Sequence, residues 1–170
     1  MPVYSEVIDD AEIVKIVNTN EFKNVLIIGC SGCMNESLAI KNKVPLNIVK
    51  NGQRVSYAIS AELTRLSHLL KSCGCTVYCQ CVPEGSNALC MIDRSRELYN
   101  YNECKASIEA VFALCCPGGI IGLKFENTAI PVIPLTRTKG VLGYFSETSH
   151  NGTRTIVFDG SKIIKINFNE

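Results

Sequence analysis

The sequence predicts an α/β protein: a Rossmann-like or flavodoxin-like, mostly parallel sheet with helices on both faces, followed by a C-terminal antiparallel β meander. Short apolar runs, which are typical of buried parallel strands, alternate with segments of helical composition. The C-terminal part is instead β-rich and is divided by hairpin dipeptides. We therefore assign residues 1–136 to a three-layer α/β domain and residues 137–170 to a three-stranded antiparallel extension of the same domain.

The first strand and the turn after it form the most informative stretch. Before it, residues 8–17 hold apolar side chains among acidic ones and predict a short helix on the sheet edge. Residues 25–28 are a continuous, mostly β-branched run, so we expect a central strand covered on both faces. A cysteine-glycine turn at residues 29–33 and a helix from residue 34 follow. Such a turn places cysteines at a helix N-terminus, where a thiolate is favoured.

The middle of the chain continues the alternation of strands and helices. Residues 44–49 predict a second strand, and Asn51-Gly52 predicts a turn. Residues 56–72 predict an amphipathic helix, because leucine and isoleucine recur at helical spacing. The next strand is expected at residues 76–82, and residues 83–88 form a loop that leaves its carboxyl end.

The last predicted elements return the chain to the sheet. A polar helix at residues 93–101 precedes a buried strand at residues 109–116, which again ends in a cysteine-glycine turn. After a short helix, residues 129–135 predict an edge strand, since two prolines interrupt it. Turns at Asn151-Gly152 and Asp159-Gly160 divide the meander, which we expect to extend the sheet, cover a site or form a dimer contact.

Composition excludes several classes of protein. The 170 residues suffice to bury roughly 70% of the unfolded surface in one domain. Seventeen basic and sixteen acidic residues leave no electrostatic footprint for nucleic acid or an anionic membrane. No export signal and no apolar run long enough to span a bilayer is present, so we expect a cytoplasmic protein. In that reducing compartment the ten cysteines are not expected to form a disulfide framework.

Half of the cysteines converge in the predicted fold. Ligands of doubly wound sheets bind outside the carboxyl ends of the strands, and five thiols fall in loops at that edge. They are Cys30, Cys33, Cys90, Cys115 and Cys116. Soft thiolates select zinc, Cu(I) or iron–sulfur clusters, so we predict a site for zinc or an iron–sulfur cluster ligated by these five residues. The turn residues Gly29, Ser31 and Gly32 are the predicted backbone contacts of that cofactor.

The remaining cysteines do not share that edge. Cys73 and Cys75 precede a strand at the opposite edge, whereas Cys79 and Cys81 lie on one face of it. We interpret these four as structural, and we assign no role to Cys104.

Other functions use the same residues. A redox dithiol at Cys30 and Cys33 fits the position at a helix N-terminus. A phosphatase is disfavoured, because no arginine follows Cys30 in its loop. Dinucleotide binding is disfavoured, because the glycine fingerprint is broken and no acidic residue ends the next strand. A non-catalytic interaction domain with structural cysteines remains a further alternative.

The segment at residues 21–39, with the core IIGCSGCMNESLA, resembles the start of the domain that accompanies bacterial and archaeal methylenetetrahydrofolate reductases. That family is named for the reductase's C-terminal region, and its partner subunit carries cysteine-bound metal or clusters. Its cysteine turns map onto Cys30, Cys33 and the turn at Cys115 and Cys116. The resemblance covers about the first two thirds of the chain, which ends without the family's distal cysteine cluster.

The leading hypothesis combines the thiol site with this resemblance. It is an accessory metal- or iron–sulfur-binding subunit that works beside a one-carbon or corrinoid redox enzyme. The alternatives are a thiol oxidoreductase that uses Cys30 and Cys33, and an interaction domain. Expected partners are a redox-enzyme subunit and a second copy of the chain, with neither nucleic acid nor membrane among them.

Overall fold

The computed structural model describes residues 2–81, 89–90, 107–126 and 129–166. The helices in these ranges are α1 (Asp10–Asn20), α2 (Cys33–Asn42), α3 (Tyr57–Ser72) and α4 (Pro117–Glu126). The strands are β1 (Val3–Val7), β2 (Asn24–Gly29), β3 (Asn47–Lys50), β4 (Gln53–Ser56), β5 (Thr76–Cys81), β6 (Ala110–Leu114), β7 (Val132–Pro134), β8 (Thr136–Thr148) and β9 (Arg154–Lys165).

The strands form two separate sheets, which corrects the predicted fold class. A parallel sheet has the order β5-β2-β6-β7, and an antiparallel sheet has the order β1-β8-β9-β3-β4. The prediction of one mostly parallel sheet with helices on both faces and an appended meander is therefore wrong. The antiparallel sheet takes strands from the beginning, the middle and the end of the chain. The proposed division at residue 136 stays a prediction.

The parallel sheet contains the predicted central strand. β2 pairs in parallel with β5 on one side and with β6 on the other, and its residues from Val25 to Gly29 are buried. β6 is buried along its whole length, as its continuous apolar sequence indicates. β7 pairs only with β6 among the described strands, which confirms the predicted edge position.

The predicted second parallel strand belongs to the antiparallel sheet instead. β3 turns back at once into β4, with which it pairs from Asn47 to Lys50. Asn51 and Gly52 have φ of 52° and 74°, the left-handed pair that a two-residue hairpin requires. Because Val49 is 41% exposed, this run lacks the burial on both faces that its apolar sequence suggested.

The N-terminal residues form a strand before the predicted helix. β1 pairs antiparallel with β8 and adds an edge to the second sheet, and α1 follows as expected. At the other end of the chain, two long strands replace the three that the hairpin dipeptides predicted. Asp159 and Gly160 lie within β9, where the pairing with β8 is irregular. Gly160 has φ of 79°, so it accommodates a bulge rather than a hairpin turn.

The helices α2 and α3 connect the two sheets. α2 contacts β1 and β9 of the antiparallel sheet, whereas α3 contacts β2 and β5 of the parallel sheet, and the two helices contact each other. The buried amide of Asn35 on α2 fixes this arrangement. It donates to Leu46 O at 3.0 Å and accepts from Ile59 N–H at 2.9 Å.

Two predicted elements lie outside the described residues: the loop at residues 83–88 and the helix at residues 93–101. Among the helices of the described ranges, none combines the length and the apolar character needed to cross a membrane.

Candidate functional site

The candidate site lies at the carboxyl edge of the parallel sheet, where β2 and β6 each end in a turn that leads into a helix. β2 ends at Gly29 and α2 begins at Cys33, whereas β6 ends at Leu114 and α4 begins at Pro117. The last paired residues of the two strands are opposite each other, and Cys30 N–H donates to Leu114 O at 3.1 Å just beyond them. Both turns therefore meet at one place, together with the N-termini of two helices.

Cys116 lies at the N-terminus of α4, where its hydrogen bonds favour the thiolate form. Its carbonyl accepts the first helical hydrogen bond from Ile120 N–H at 3.2 Å, which places Cys116 at the N-cap. A hydrogen bond from the Cys33 thiol and the backbone N–H groups of Gly119, Gly118 and Cys116 itself together lower the pKa of Cys116 to about 6, against the opposing effect of burial. Sγ thus takes the place of the side-chain oxygen of an ordinary N-cap residue.

Cys33 remains a protonated thiol. Its S–H group donates a hydrogen bond to the Cys116 thiolate. The hydrogen bond to Cys116, together with burial, raises the pKa of Cys33 far above its usual value. Val3 N–H on β1 also donates to Cys33 Sγ, so the antiparallel sheet reaches the site. The Ser37 hydroxyl fixes this contact, because it lies 2.8 Å from Cys33 O and accepts from Ser5 N–H at 3.1 Å.

Cys30 and Cys115 are buried thiols close to Cys116. Cys30 is 2% exposed and Cys115 is fully buried. Burial is the main cause that raises the pKa of both thiols. Sγ of Cys30 accepts hydrogen bonds from the N–H groups of Gly32 and Leu89, which oppose that rise only in part.

Cys90 and Cys81 complete the group of thiols at this edge. Cys90 is exposed, yet it lies close enough to Cys30 and Cys115 for its charge to raise the pKa of both. Cys81 is the last residue of β5, opposite Gly29, and burial raises its pKa to about 12, with Cys30 as a second cause. The structure therefore brings all five predicted cysteines together and adds a sixth.

A carboxylate and a phenol lie beside Cys33. Glu36 is one turn further along α2, and its charge raises the pKa of Cys33. The hydroxyl of Tyr144 on β8 donates to Glu36 Oε1 at 2.6 Å. Burial and this hydrogen bond raise the pKa of Tyr144, and Arg154 on β9 opposes that rise. Tyr144 therefore stays protonated and remains a donor.

The glycines around the site allow the close approach of the thiols. A Cβ on Gly119 would lie 2.8 Å from Cys115 Sγ, and one on Gly118 would lie 3.2 Å from Cys90 Cβ. Gly29, a predicted cofactor contact, lies instead under α3, where a Cβ would be 2.8 Å from Leu63 Cδ1.

The other two predicted cofactor contacts belong to the same turn. Gly32 is the N-cap of α2 and directs its N–H to Cys30, and Ser31 lies between the two cysteines of the turn. Binding of a cofactor by Gly29, Ser31 and Gly32 stays a prediction.

The cysteines that were predicted to be structural lie mostly elsewhere. Cys73 and Cys75 are at the opposite edge, before β5, and Cys75 Sγ donates to Phe22 O at 3.3 Å. Cys79 is an exposed residue of β5. Cys104 lies outside the described residues.

The donor set does not form a metal site in the part of the chain that the structure describes. Within those ranges, no group of three or more histidine, cysteine, aspartate or glutamate side chains is arranged to hold a metal ion. Two of the thiols are deeply buried, and two others are hydrogen-bonded to each other. These residues fit zinc or an iron–sulfur cluster poorly, so that cofactor stays a prediction from the sequence.

Sequence reasoning interpreted Cys81 as structural and did not single out Glu36 or Tyr144. The position of Cys81 near the site could have been predicted from the sequence, because the carboxyl end of β5 lies beside the carboxyl end of β2 in a parallel sheet. Glu36 follows Cys33 at helical spacing, which is also visible in the sequence. The sequence contains no pattern that indicates Tyr144, because its hydrogen bond to Glu36 depends on the packing of the second sheet against α2.

The chain matches no protein-family model, and no curated protein and no solved structure shows significant similarity to it.

Proposed function

We propose that this protein is a thiol–disulfide oxidoreductase whose reactive pair is Cys33 and Cys116. The observation that carries the proposal is the hydrogen bond from the Cys33 thiol to the Cys116 thiolate, between the N-termini of two helices. A thiolate that is formed near neutral pH and lies in contact with a second, protonated thiol is the reduced state of a redox dithiol.

The pair suits a two-step exchange with a disulfide substrate. Cys116 Sγ attacks one sulfur of the substrate, so that a mixed disulfide forms and the first substrate thiolate leaves. Cys33 then loses its proton and attacks Cys116 Sγ. The second substrate thiolate leaves, and both leaving thiolates take up protons. The substrate disulfide is reduced to two thiols, while the protein dithiol becomes a Cys33–Cys116 disulfide that an external dithiol reduces again.

Cys116 and Cys33 fit these roles better than the Cys30 and Cys33 pair suggested by the sequence. Cys33 is half-buried and Cys116 retains 8% of its surface, whereas Cys30 has a raised pKa and only 2% exposure. A buried, neutral thiol is a poor nucleophile. Cytoplasmic localisation belongs to the same proposal, since a reducing compartment would keep the pair in its dithiol form.

The test is an assay of disulfide reduction with bis(2-hydroxyethyl) disulfide as substrate and dithiothreitol as reductant. We expect Cys116→Ser to reduce activity to the background rate, and Cys33→Ser, mixed with the substrate in the absence of dithiothreitol, to accumulate a mixed disulfide at Cys116 that mass spectrometry detects. The matched control is Cys79→Ser, an exposed cysteine on β5 away from the pair, which should retain full activity. Equal activity in all three variants would overturn the proposal.

The accessory metal- or cluster-binding subunit remains the second candidate function. Its support is the convergence of the five predicted cysteines on one edge of the sheet. Its test is the metal and acid-labile sulfide content of the protein purified without oxygen. Stoichiometric metal that disappears in a Cys30→Ser, Cys33→Ser double variant would favour this candidate, together with its predicted redox-enzyme partner.

A further inference from the structure

The antiparallel sheet has one face toward α2 and an opposite face that is largely exposed. On β8 the even-numbered residues face α2: Leu142 is fully buried, and Tyr144 OH donates to Glu36 of that helix. Successive side chains of a strand alternate between the two faces of its sheet, so the odd-numbered residues of β8 lie on the opposite face. We call this opposite face the outer face; on β8 it carries Lys139, Val141, Gly143, Phe145 and Glu147.

The outer face is apolar at its centre. Phe145 is 66% exposed, and Ile164 of β9 is 51% exposed. Val141 pairs with Ile164 on one side and with Val3 of β1 on the other. Phe145 pairs with Val157 of β9. Because paired residues lie on the same face, these side chains form one apolar patch over three strands. An antiparallel sheet that faces water normally carries polar residues there, so the patch indicates a contact surface.

The charges at the two ends of the β8 row are opposite. Lys139 lies at one end and Glu147 at the other, and both are exposed. Neither forms an ion pair with a described residue. Gly143 lies midway between them, and a Cβ built on it would meet no atom of the described residues within 4 Å. The middle of the row is therefore an open depression between Val141 and Phe145.

The row is complementary to itself when its direction is reversed. If a second copy lies over the outer face with its β8 antiparallel and the two-fold axis at Gly143, Lys139 is opposite Glu147 of that copy. Val141 is then opposite Phe145, and each contact occurs twice, as a two-fold interface requires. Sheets that pack face to face lie about 10 Å apart with their strands within about 30° of each other, a gap that a lysine and a glutamate side chain bridge together. This match of charge and shape favours a second copy of the chain as the occupant of the face.

We propose that the outer face of the antiparallel sheet is the interface of a homodimer, in which the two β8 strands pack antiparallel about a two-fold axis at Gly143. Phe145 of each copy packs on Val141 of the other, and Lys139 pairs with Glu147 at both ends of the interface. The thiol site lies on the α2 side of the sheet. The interface therefore does not include that site, and the inference does not depend on the proposed function.

The test is the molar mass of the protein in solution, measured by analytical ultracentrifugation over a range of concentrations, at low salt and with a reductant that prevents intermolecular disulfides. We expect a monomer–dimer equilibrium. Lys139→Glu places like charges at both ends and should raise the dimer Kd by at least about tenfold, and Glu147→Lys should do the same. The double variant restores opposite charges and should recover most of the wild-type affinity. Phe145→Asp should raise the Kd by at least about thirtyfold. The matched control is Ile121→Asp, at an exposed apolar residue of α4, which should leave the Kd unchanged.

Three outcomes decide the proposal. A wild-type protein that stays monomeric at every concentration overturns it, and the outer face is then available to a different partner. A dimer that persists unchanged in Phe145→Asp and in both charge reversals also overturns it, because such a dimer uses another surface. Recovery of affinity in the double variant supports the register about Gly143, whereas a double variant as weak as the single ones overturns that register. Circular dichroism verifies that each variant keeps the fold, as expected for substitutions of exposed side chains.

Discussion

At the scale of single residues, the reactivity that we expect of Cys116 comes from its neighbours rather than from its exposure. The Cys33 thiol and three backbone N–H groups, those of Gly119, Gly118 and Cys116 itself, stabilise its thiolate against the cost of burial. Its lowered pKa also stabilises the reduced, folded protein. That contribution is complete above the unfolded-state pKa of about 8.5 and is lost as the pH falls through the folded value.

The rate at which iodoacetamide alkylates Cys116 should rise with pH to a half-maximal value near pH 6, because only the thiolate reacts. Cys33→Ala removes the hydrogen-bond donor and should move this midpoint to higher pH. Cys33→Ser retains a hydroxyl donor and should keep most of the shift. Peptide mass spectrometry measures alkylation at Cys116 alone. The account is contradicted if the Ala and Ser variants have the same midpoint as the wild type.

Residue patterns in the sequence located the thiols but not their pairing. Cys30, Cys33, Cys115 and Cys116 follow two apolar runs, and the rule for parallel strands is enough to place them at one edge. Which thiols touch depends on details of the turns. The N–H of Gly32 donates to the buried Cys30 thiol, whereas Cys33 is the first residue of the helix and contacts Cys116. Spacing alone favoured the Cys30 and Cys33 pair and did not contain that information.

At the scale of elements, α2 is the part that both sheets and the site share. Its first residue is Cys33, and Asn35 holds it to the loop before β3 and to the start of α3. Asn35 is 1% exposed, accepts from Ile59 N–H and donates to Leu46 O, which also accepts from Tyr57 N–H at 3.0 Å. The orientation of Cys33 therefore depends on a buried polar network one residue away from Glu36.

Asn35→Ala should lower the free energy of unfolding by about 1–3 kcal/mol, because it leaves the buried Ile59 N–H without this acceptor, whereas Leu46 O still accepts from Tyr57 N–H. Urea denaturation monitored by circular dichroism measures this change. Asn42→Ala, at the exposed end of the same helix, is the control and should change that free energy by less than about 0.5 kcal/mol. Equal effects of the two substitutions would show that the Asn35 network is not important for stability.

Some elements were predictable and others were not, for local physical reasons. α3 and the strands β2 and β6 carry a strong period or a continuous apolar run, and the structure confirms them. Asp159-Gly160 predicted a turn, but a glycine with positive φ also suits a bulge, and the long pairing of β8 with β9 decided between the two. The local signal was correct, whereas its structural context was not visible in the sequence.

At the scale of the whole molecule, the antiparallel sheet contributes groups to the site. A C-terminal meander that only covered the site would not do so. β1 donates a backbone hydrogen bond to Cys33, and β8 supplies Tyr144 to Glu36. The parallel sheet supplies Cys116 and the buried thiols. The sequence predicted one sheet because strands and helices alternate along the chain. Which strands pair is decided by contacts between distant segments, such as β1 with β8.

The most direct test of the central claim is disulfide mapping after equilibration of the protein with reduced and oxidised dithiothreitol at pH 7. The account predicts that the first disulfide to form links Cys33 to Cys116, that it forms reversibly, and that Cys116→Ser abolishes it. A first disulfide between Cys30 and Cys33, or the absence of a reversible disulfide at Cys116, would contradict the account.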